Sequence, residues 1–440
     1  MSSTTTITTT TTTTMIRRLC CLQSASPSVP LSSKKKPLVL LGAPQVSAIV
    51  LDTLLNASTC PDSLFEVAAI VTQPAARRDR GKKLSLSPLA THALDRGFSA
   101  DLIFTPERPG DVPNYSNYCA LPTLLLSHPT QSLQDTFLSN LKALQPHLCI
   151  TAAYGNILPT KFLDIPSLGL SLPSISIPLL HIYLYHAFPN TYFTLQNLSY
   201  TTKAYTSNTP ISKFPLANIS GTVNIHPSLL PLYRGAAPVQ RALLDGVKET
   251  GVSLAFTVRA LDAGPIIATE TIQVDDQIKA PDLLELLFHK GSELLIGELP
   301  SIFDGSARVK AQPQDHSKAT LAPKINPDES WLFFDQEASM LHNKVRAFSG
   351  WPGTRARVLV AEKNGQQKTL EIKIITTRVC NHESVQFDEA DDVAFVEGAL
   401  VFPCGRGTAL EVLEVQLPGK KVVNAAAFWN GLRGQKLKKL

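Results

Sequence analysis

The chain has 440 residues, 44% hydrophobic and 18% charged. That composition excludes a disordered or collagen-like polymer and allows two domains with their own cores. No apolar run approaches the roughly twenty residues of a transmembrane helix. The formal net charge of +5 equals the five cations Arg17, Arg18, Lys34, Lys35 and Lys36 of an acid-free leader. The remaining chain therefore balances near zero, and a nucleic-acid partner has to be argued from local patches.

Residues 1–36 open with a Thr-rich tract and continue as MIRRLCCLQSASPSVPLSSKKK from Met15. Basic, hydroxyl-rich sequence without acids or an apolar h-region reads as a disordered organellar transit peptide, mitochondrial or, as the alternative, plastid. The plain alternative is a disordered tail. Cys20, Cys21, Cys60, Cys119, Cys149, Cys380 and Cys404 form no C-x-x-C pair. Unpaired thiols in a reduced compartment, and no metal, are expected.

From Pro37, PLVLLGAPQVSAIVLDTLL reads as a buried strand (38–41), a turn at Gly42 and a helix over about 46–55. LFEVAAIV is the second strand. Strand–helix–strand at this spacing predicts a doubly wound, mostly parallel sheet of Rossmann-like type. One glycine in the first turn is not the three-glycine dinucleotide fingerprint, so no NAD is inferred. Next, Arg77, Arg78, Arg80, Lys82 and Lys83 crowd around Gly81; their repulsion favours a loop. A helix resumes near Pro88, and strands are expected at 148–155, 222–230 and GVSLAFTV, with amphipathic helices at AAPVQRALLDG and 281–304. Residues 37–306 thus make one α/β domain, 307–318 a polar linker, and 319–440 a second domain whose short alternating runs suggest a small β-barrel.

Two stretches interrupt this pattern. Residues 170–220 lack Asp, Glu and Gly and hold five of the nine tyrosines; residues 112–134 lack acids, Lys and Arg and hold two more. Without them the flanking sequence joins naturally. We read both as translated introns or similar gene-model errors; surface insertions are the alternative, since loops tolerate length cheaply.

The chemistry concentrates in NIHPSLLPLYRGAAP (224–238) and LDAGP (261–265). Asn224 and His226 alternate at a strand end, so both side chains can lean to one face. Asp262, ahead of a Gly-Pro turn, can point a carboxylate into a cleft at the sheet's carboxyl edge. An amine attacking a formyl carbon develops an oxyanion. An Asn amide and an imidazole donor can stabilise it, and an Asp beside the His can fix its tautomer and relay a proton through water. Taken alone, an Asn-x-His strand end is more often structural, and a lone Asp is more often a turn residue.

NIHPSLLPLYRGAAPVQRALLDG followed by ETGVSLAFTVRALDAGPII resembles the signature region of the folate-dependent formyltransferases, whose branches act on methionyl-tRNA, on glycinamide ribonucleotide or on formyltetrahydrofolate itself. The resemblance implies that Asn224, His226 and Asp262 are catalytic and that 10-formyltetrahydrofolate is the formyl donor. It places the pterin at Ala153, Tyr154, Gly155, Ser228, Leu229, Leu230, Pro231 and Gly264. TQPAARRDRGKKLSLSP resembles the basic loop of the methionyl-tRNA formyltransferases, implying that Arg77, Arg78, Arg80, Lys82 and Lys83 reach initiator tRNA; ordinary phosphate and unpaired-base recognition suits such a cluster. ATLAPKINPDES, VRAFSGWPGTRARV and ALEVLEVQLPGKK resemble the C-terminal, OB-like barrel of that branch, with Lys420 and Lys421 on its tRNA face and Arg433, Lys436, Lys438 and Lys439 as further candidates. The family suggests a monomer. LGAP departs from the family's usual first turn, and neither the leader nor the two inserts is covered. The rivals are a formyltransferase for a small-molecule amine and an inactivated RNA-binding relative.

Overall fold

A computed structural model describes residues 35–77, 84–106, 131–155, 158, 160–168, 221–361, 366–380, 387 and 389–440. Strand β1 (Lys36–Gly42) leads into α1 (Gln45–Ser58) and returns as β2 (Phe65–Val71). Leu38 to Leu41 are fully buried, which is why a continuous apolar run, rather than an alternating one, forms this strand. The turn needs glycine for space: a Cβ on Gly42 would lie 2.5 Å from Cβ of Ser47 and 2.8 Å from the Ala152 carbonyl. Ser47 is fully buried there and donates to that same carbonyl at 2.7 Å.

The basic stretch is flanked by a short hairpin, β3 (Ala76–Arg77) with β4 (Leu84–Ser85). Its ends are therefore regular where a plain loop is expected from sequence; Arg78, Arg80, Lys82 and Lys83 lie outside the described residues. Then come α2 (Pro88–Asp95), capped by the Ser87 hydroxyl, β5 (Ile103–Phe104) and α3 (Gln131–Ala143). Helix α3 begins at Gln131, so its first four residues fall inside the stretch read as 112–134. The remainder of that stretch and all of 170–220 lie outside the described residues.

Strand β6 (Leu148–Ala152), the short α4 (Thr160–Leu163), β7 (Thr222–His226), β8 (Arg234–Gly235), α5 (Pro238–Leu244), β9 (Glu249–Phe256) and β10 (Ile266–Gln273) follow. The main sheet has the order β10-β9-β7-β6-β1-β2-β5. Its β7-β6-β1-β2-β5 portion is parallel, and β9 and β10 are antiparallel to their neighbours. Side chains cover both faces. One cluster joins Leu40, Val50, Ile225 and Leu287; the other joins Val39, Cys149 and Phe162. Helix α6 (Ala280–Phe303) supplies much of the first cluster through Leu283, Leu287 and Leu295, which recur at helical spacing.

The expected polar linker is more structured than its composition suggests. Helix α7 (Ser306–Lys310) opens it. Gln312 exchanges two 2.8 Å backbone bonds with Ile266, and β11 (Leu321–Ala322) pairs in parallel with β8. The chain here straps itself across the first domain, and the unmet backbone groups of two site loops are what it satisfies.

Helix α8 (Ala338–Ala347) precedes an antiparallel sheet of β12 (Thr354–Ala361), β13 (Gln367–Val379), β14 (Ala394–Val396), β15 (Ala399–Pro403), β16 (Ala409–Gln416) and β17 (Val422–Asn424), then α9 (Ala425–Gly431) and β18 (Lys436–Lys439). The path β14-β15-β16-β13-β12-β18 closes on itself: Asp392, just ahead of β14, bridges Lys438, and Val393 N–H donates to Leu437 at 2.9 Å. The result is a barrel-like second domain around Val358, Ile372, Phe402 and Val412. No described helix is long and apolar enough to cross a membrane.

Candidate active site

Strands β6 and β7 lie in parallel register with Thr151 beside Asn224, and both end at the same edge of the sheet. Alternation then turns Asn224 and His226 toward one cavity of about 630 Å³ at that carboxyl edge. Asp262 arrives from the loop between β9 and β10. Asn224 Nδ2 donates to Asp262 Oδ1 at 3.2 Å, and His226 Nδ1 stands 3.8 Å from Asp262 Oδ2. The Gly235 N–H donates to the same Oδ2 at 2.9 Å. Three groups expected from sequence to share a cleft thus do share one.

Their orientations follow from their neighbours. The Thr151 hydroxyl donates to Asn224 Oδ1 at 2.7 Å. A flipped amide would face oxygen against the Asp262 carboxylate, so the NH₂ group is the one turned toward Asp262 and the cavity. His226, 3% exposed, has Nε2 at 3.0 Å from the Tyr233 carbonyl. A carbonyl accepts only, so Nε2 carries a hydrogen, and Nδ1 is the nitrogen turned toward Asp262. The sequence reading gave this tautomer-setting task to Asp262; the Tyr233 carbonyl performs it, and Asp262 faces the other nitrogen.

Backbone strain gathers here. Ala153 (φ 50), Tyr233 (φ 59) and Asp262 (φ 46) are three of the seven left-handed non-glycine residues among those described. Each such conformation costs about 1–3 kcal/mol and is held by its surroundings. Gly264 tolerates an approach no side chain could, since a Cβ would sit 1.7 Å from the Phe256 carbonyl.

Of the expected pterin contacts, Ala153, Tyr154, Gly155, Leu230 and Gly264 line the cavity. Ser228, Leu229 and Pro231 do not. Ser228 is fully buried; its N–H donates to the His226 carbonyl at 2.8 Å and its hydroxyl to Leu232 at 2.7 Å, so it builds the loop instead of binding a ligand. Leu158, from the AAYGNILP segment that the family resemblance sets beside the pterin, adds to an apolar wall completed by Val258, Leu284 and Phe288, which the sequence alone did not place at the site. Such a wall with a few convergent polar groups suits a flat heteroaromatic ring. No cluster of metal-ligating side chains occurs among the described residues.

Other residues were also missed. Arg234, 8% exposed, directs Nε (3.0 Å) and Nη2 (2.5 Å) at Gln314 Oε1, while Gln314 Nε2 donates to the carbonyls of Asp262 (2.8 Å) and Gly264 (2.7 Å). Burial lowers the Arg234 pKa, opposed by the nearby Asp262 charge. Their sequence signal was slight: one Arg in a Gly loop and one Gln in QPQD.

Lys420 and Lys421 are exposed in the β16–β17 turn, and Arg433 is exposed after α9. Lys438 and Lys439 are held at the barrel seam by Glu389, Asp392 and the Pro403 carbonyl, while Lys436 stands 3.7 Å from Asp392 with its side chain exposed. On β12, Arg357 and Arg355 lie 4.7 and 5.7 Å from the Trp331 ring centroid, a cation–aromatic cluster that R-A-R alternation could have signalled.

Residues 211–299 match the family described as Formyl transferase, and residues 324–433 match Formyl transferase, C-terminal domain. The methionyl-tRNA formyltransferase of Methylococcus capsulatus is 30% identical over 409 residues, covering 91% of this chain and 99% of that protein. The chain belongs to the methionyl-tRNA formyltransferase family. The family's member from Bacillus licheniformis is 28% identical over 395 residues, covering 90% and 94%. Among solved structures, the N-formyltransferase from Helicobacter canadensis overlaps at a TM-score of 0.48 and 14% identity, covering 86% of this chain and 99% of that one.

Proposed function

We propose that this enzyme transfers a formyl group from 10-formyltetrahydrofolate to the amino group of methionine on initiator tRNA. The observation that carries the mechanism is the convergence of Asn224, His226 and Asp262 on the wall of one cavity. The donor ring would lie on the apolar wall, with its formyl carbon near Asn224 and His226. The methionyl nitrogen attacks that carbon, forming the C–N bond and placing a negative charge on the formyl oxygen. The Asn224 NH₂, already oriented, donates to that oxygen. His226 Nδ1 takes the amine's proton, and Asp262 stabilises the imidazolium at 3.8 Å. Collapse breaks the bond to the folate nitrogen, which receives the proton from His226. Atoms and charge balance without a protein nucleophile.

We place the reaction in an organelle, the mitochondrion before the plastid, on the basic, acid-free character of residues 1–36. We assign tRNA contacts to Arg77, Arg78, Arg80, Lys82 and Lys83 and to Lys420 and Lys421, the former cluster on its charge density and family resemblance and the latter two on their exposure.

The deciding measurement is formylation of charged initiator tRNA by His226→Ala. Transfer should fall by about 10²–10⁴ while affinity for tetrahydrofolate changes only a few-fold; an active variant overturns the assigned roles. Nucleotide-sugar and ribonucleotide amines, offered in place of tRNA, should be poor acceptors. Arg80→Ala should raise KM for tRNA far more than for the folate; equal losses would remove that loop from acceptor binding.

A further inference from the structure

The strap after α7 reaches the Asp262 loop through the Gln314 side chain. Gln314 is 6% exposed, and its amide is saturated. Both Nε2 hydrogens go to carbonyls of the Asp262 loop, at 2.8 and 2.7 Å, and Oε1 accepts from two nitrogens of Arg234. Arg234 is anchored in turn. Its N–H donates to the Thr320 carbonyl at 2.9 Å, its Nη1 lies 3.2 Å from His316 Nδ1, and it pairs with Leu321 across the β8–β11 ladder. The next residue, Gly235, donates its N–H to Asp262 Oδ2. A closed circuit results: Asp262 is gripped by its own carbonyl through Gln314 and Arg234, and by its carboxylate through Gly235.

We infer that Gln314 is a positioning residue for formyl transfer, holding Asp262 by the backbone so that its carboxylate stays between Asn224, His226 and the Gly235 amide. This inference rests on the catalytic roles proposed above. Asp262 sits at φ 46, a conformation that an aspartate leaves when released. Relaxation would carry the carboxylate away from His226, and a displacement of about 1 Å in such a group can cost on the order of 10²-fold in rate. An amide is the one side chain of this length that serves the circuit. A carboxylate would set oxygen against two carbonyl oxygens, and a thioether would give up every bond while filling the same space. The cavity wall does not include Gln314, so its loss should spare ligand binding.

The test uses the full chain with charged initiator tRNA and 10-formyltetrahydrofolate, alongside 5-formyltetrahydrofolate as an unreactive binding probe. Gln314→Met and Gln314→Glu should lower kcat by about 10- to 100-fold. KM for tRNA and Kd for the probe should stay within about three-fold. Arg234→Lys, which keeps charge but loses the fork, should lower kcat in the same direction by a smaller factor, and it serves if the Gln314 variants do not fold. A kcat within three-fold of the parent, or a loss shared equally by kcat and probe affinity, overturns the inference: the residue then only braces the fold. His226→Ala separates the two readings. If it is active, the proposed chemistry fails; if it is inactive while folded Gln314 variants keep full kcat, the clamp alone fails.

Discussion

Thr151 offers the sharpest single-residue test of how the site is preorganised. Its hydroxyl fixes which end of the Asn224 amide faces Asp262. Thr151→Val keeps the shape and removes that bond. An oriented bond of this kind is worth about 1 kcal/mol, so kcat should drop by roughly five-fold with the fold intact; pre-steady-state formylation rates would reveal it. A larger penalty is expected at Gly264, where alanine meets the Phe256 carbonyl at 1.7 Å. Gly264→Ala has to shift the β9 end or the Asp262 loop, so a near-complete loss of transfer together with a lower Tm should follow, read by activity assay and thermal melting. None of these close approaches was visible in sequence. Asn224, His226 and Asp262 were legible through the resemblance of their flanking sequence to the folate-dependent formyltransferases, since an Asn-x-His strand end and an Asp before a turn are by themselves more often structural, whereas Tyr233 and Gln314 act through contacts that only the folded chain creates.

Elements divide the same way. The buried strand at Leu38–Leu41 and helix α6 announce themselves by apolar runs and helical spacing, because burial demands those patterns. Pairing direction is not so written: the antiparallel edge of β9 and β10 depends on a short connection rather than on composition. Polarity in 307–318 predicts a tether, yet its amides and carbonyls complete two site loops. Helix α5 shows what else the strap holds. Arg241 forms a two-pronged contact with Glu329 at 2.6 and 3.0 Å and donates to the Pro323 and Lys324 carbonyls. Arg241→Ala should destabilise by about 1 kcal/mol, since the pair is partly solvated, and limited proteolysis near residues 323–330 should quicken; unchanged cleavage would argue against this anchoring.

Across the molecule, α8 joins the barrel domain to the first domain through buried polar groups. His342 contacts the Thr377 hydroxyl and the Asp276 carbonyl, each at 2.9 Å, and Arg346 donates to the Asp275 carbonyl. Burial lowers the His342 pKa below its ordinary value; Arg346 and Lys248 push the same way, while Asp276 opposes them. The unfolded chain then binds a proton that the native chain resists, so stability is complete above the usual imidazole range, about 6.5, and falls as the pH drops through the lower folded value. Thermal melts between pH 7.5 and 5.5 should show a steeper acid loss for the parent than for His342→Gln; parallel curves would remove His342 from this dependence. One last consequence concerns the seam at Asp392 and Lys438. Because the final few residues zip shut a wall begun some eighty positions earlier, a premature stop ahead of Lys436 would leave two raw ladders of peptide groups facing water. Such rims recruit one another, so a slightly shortened polypeptide should precipitate rather than stay in solution with an unfinished wall.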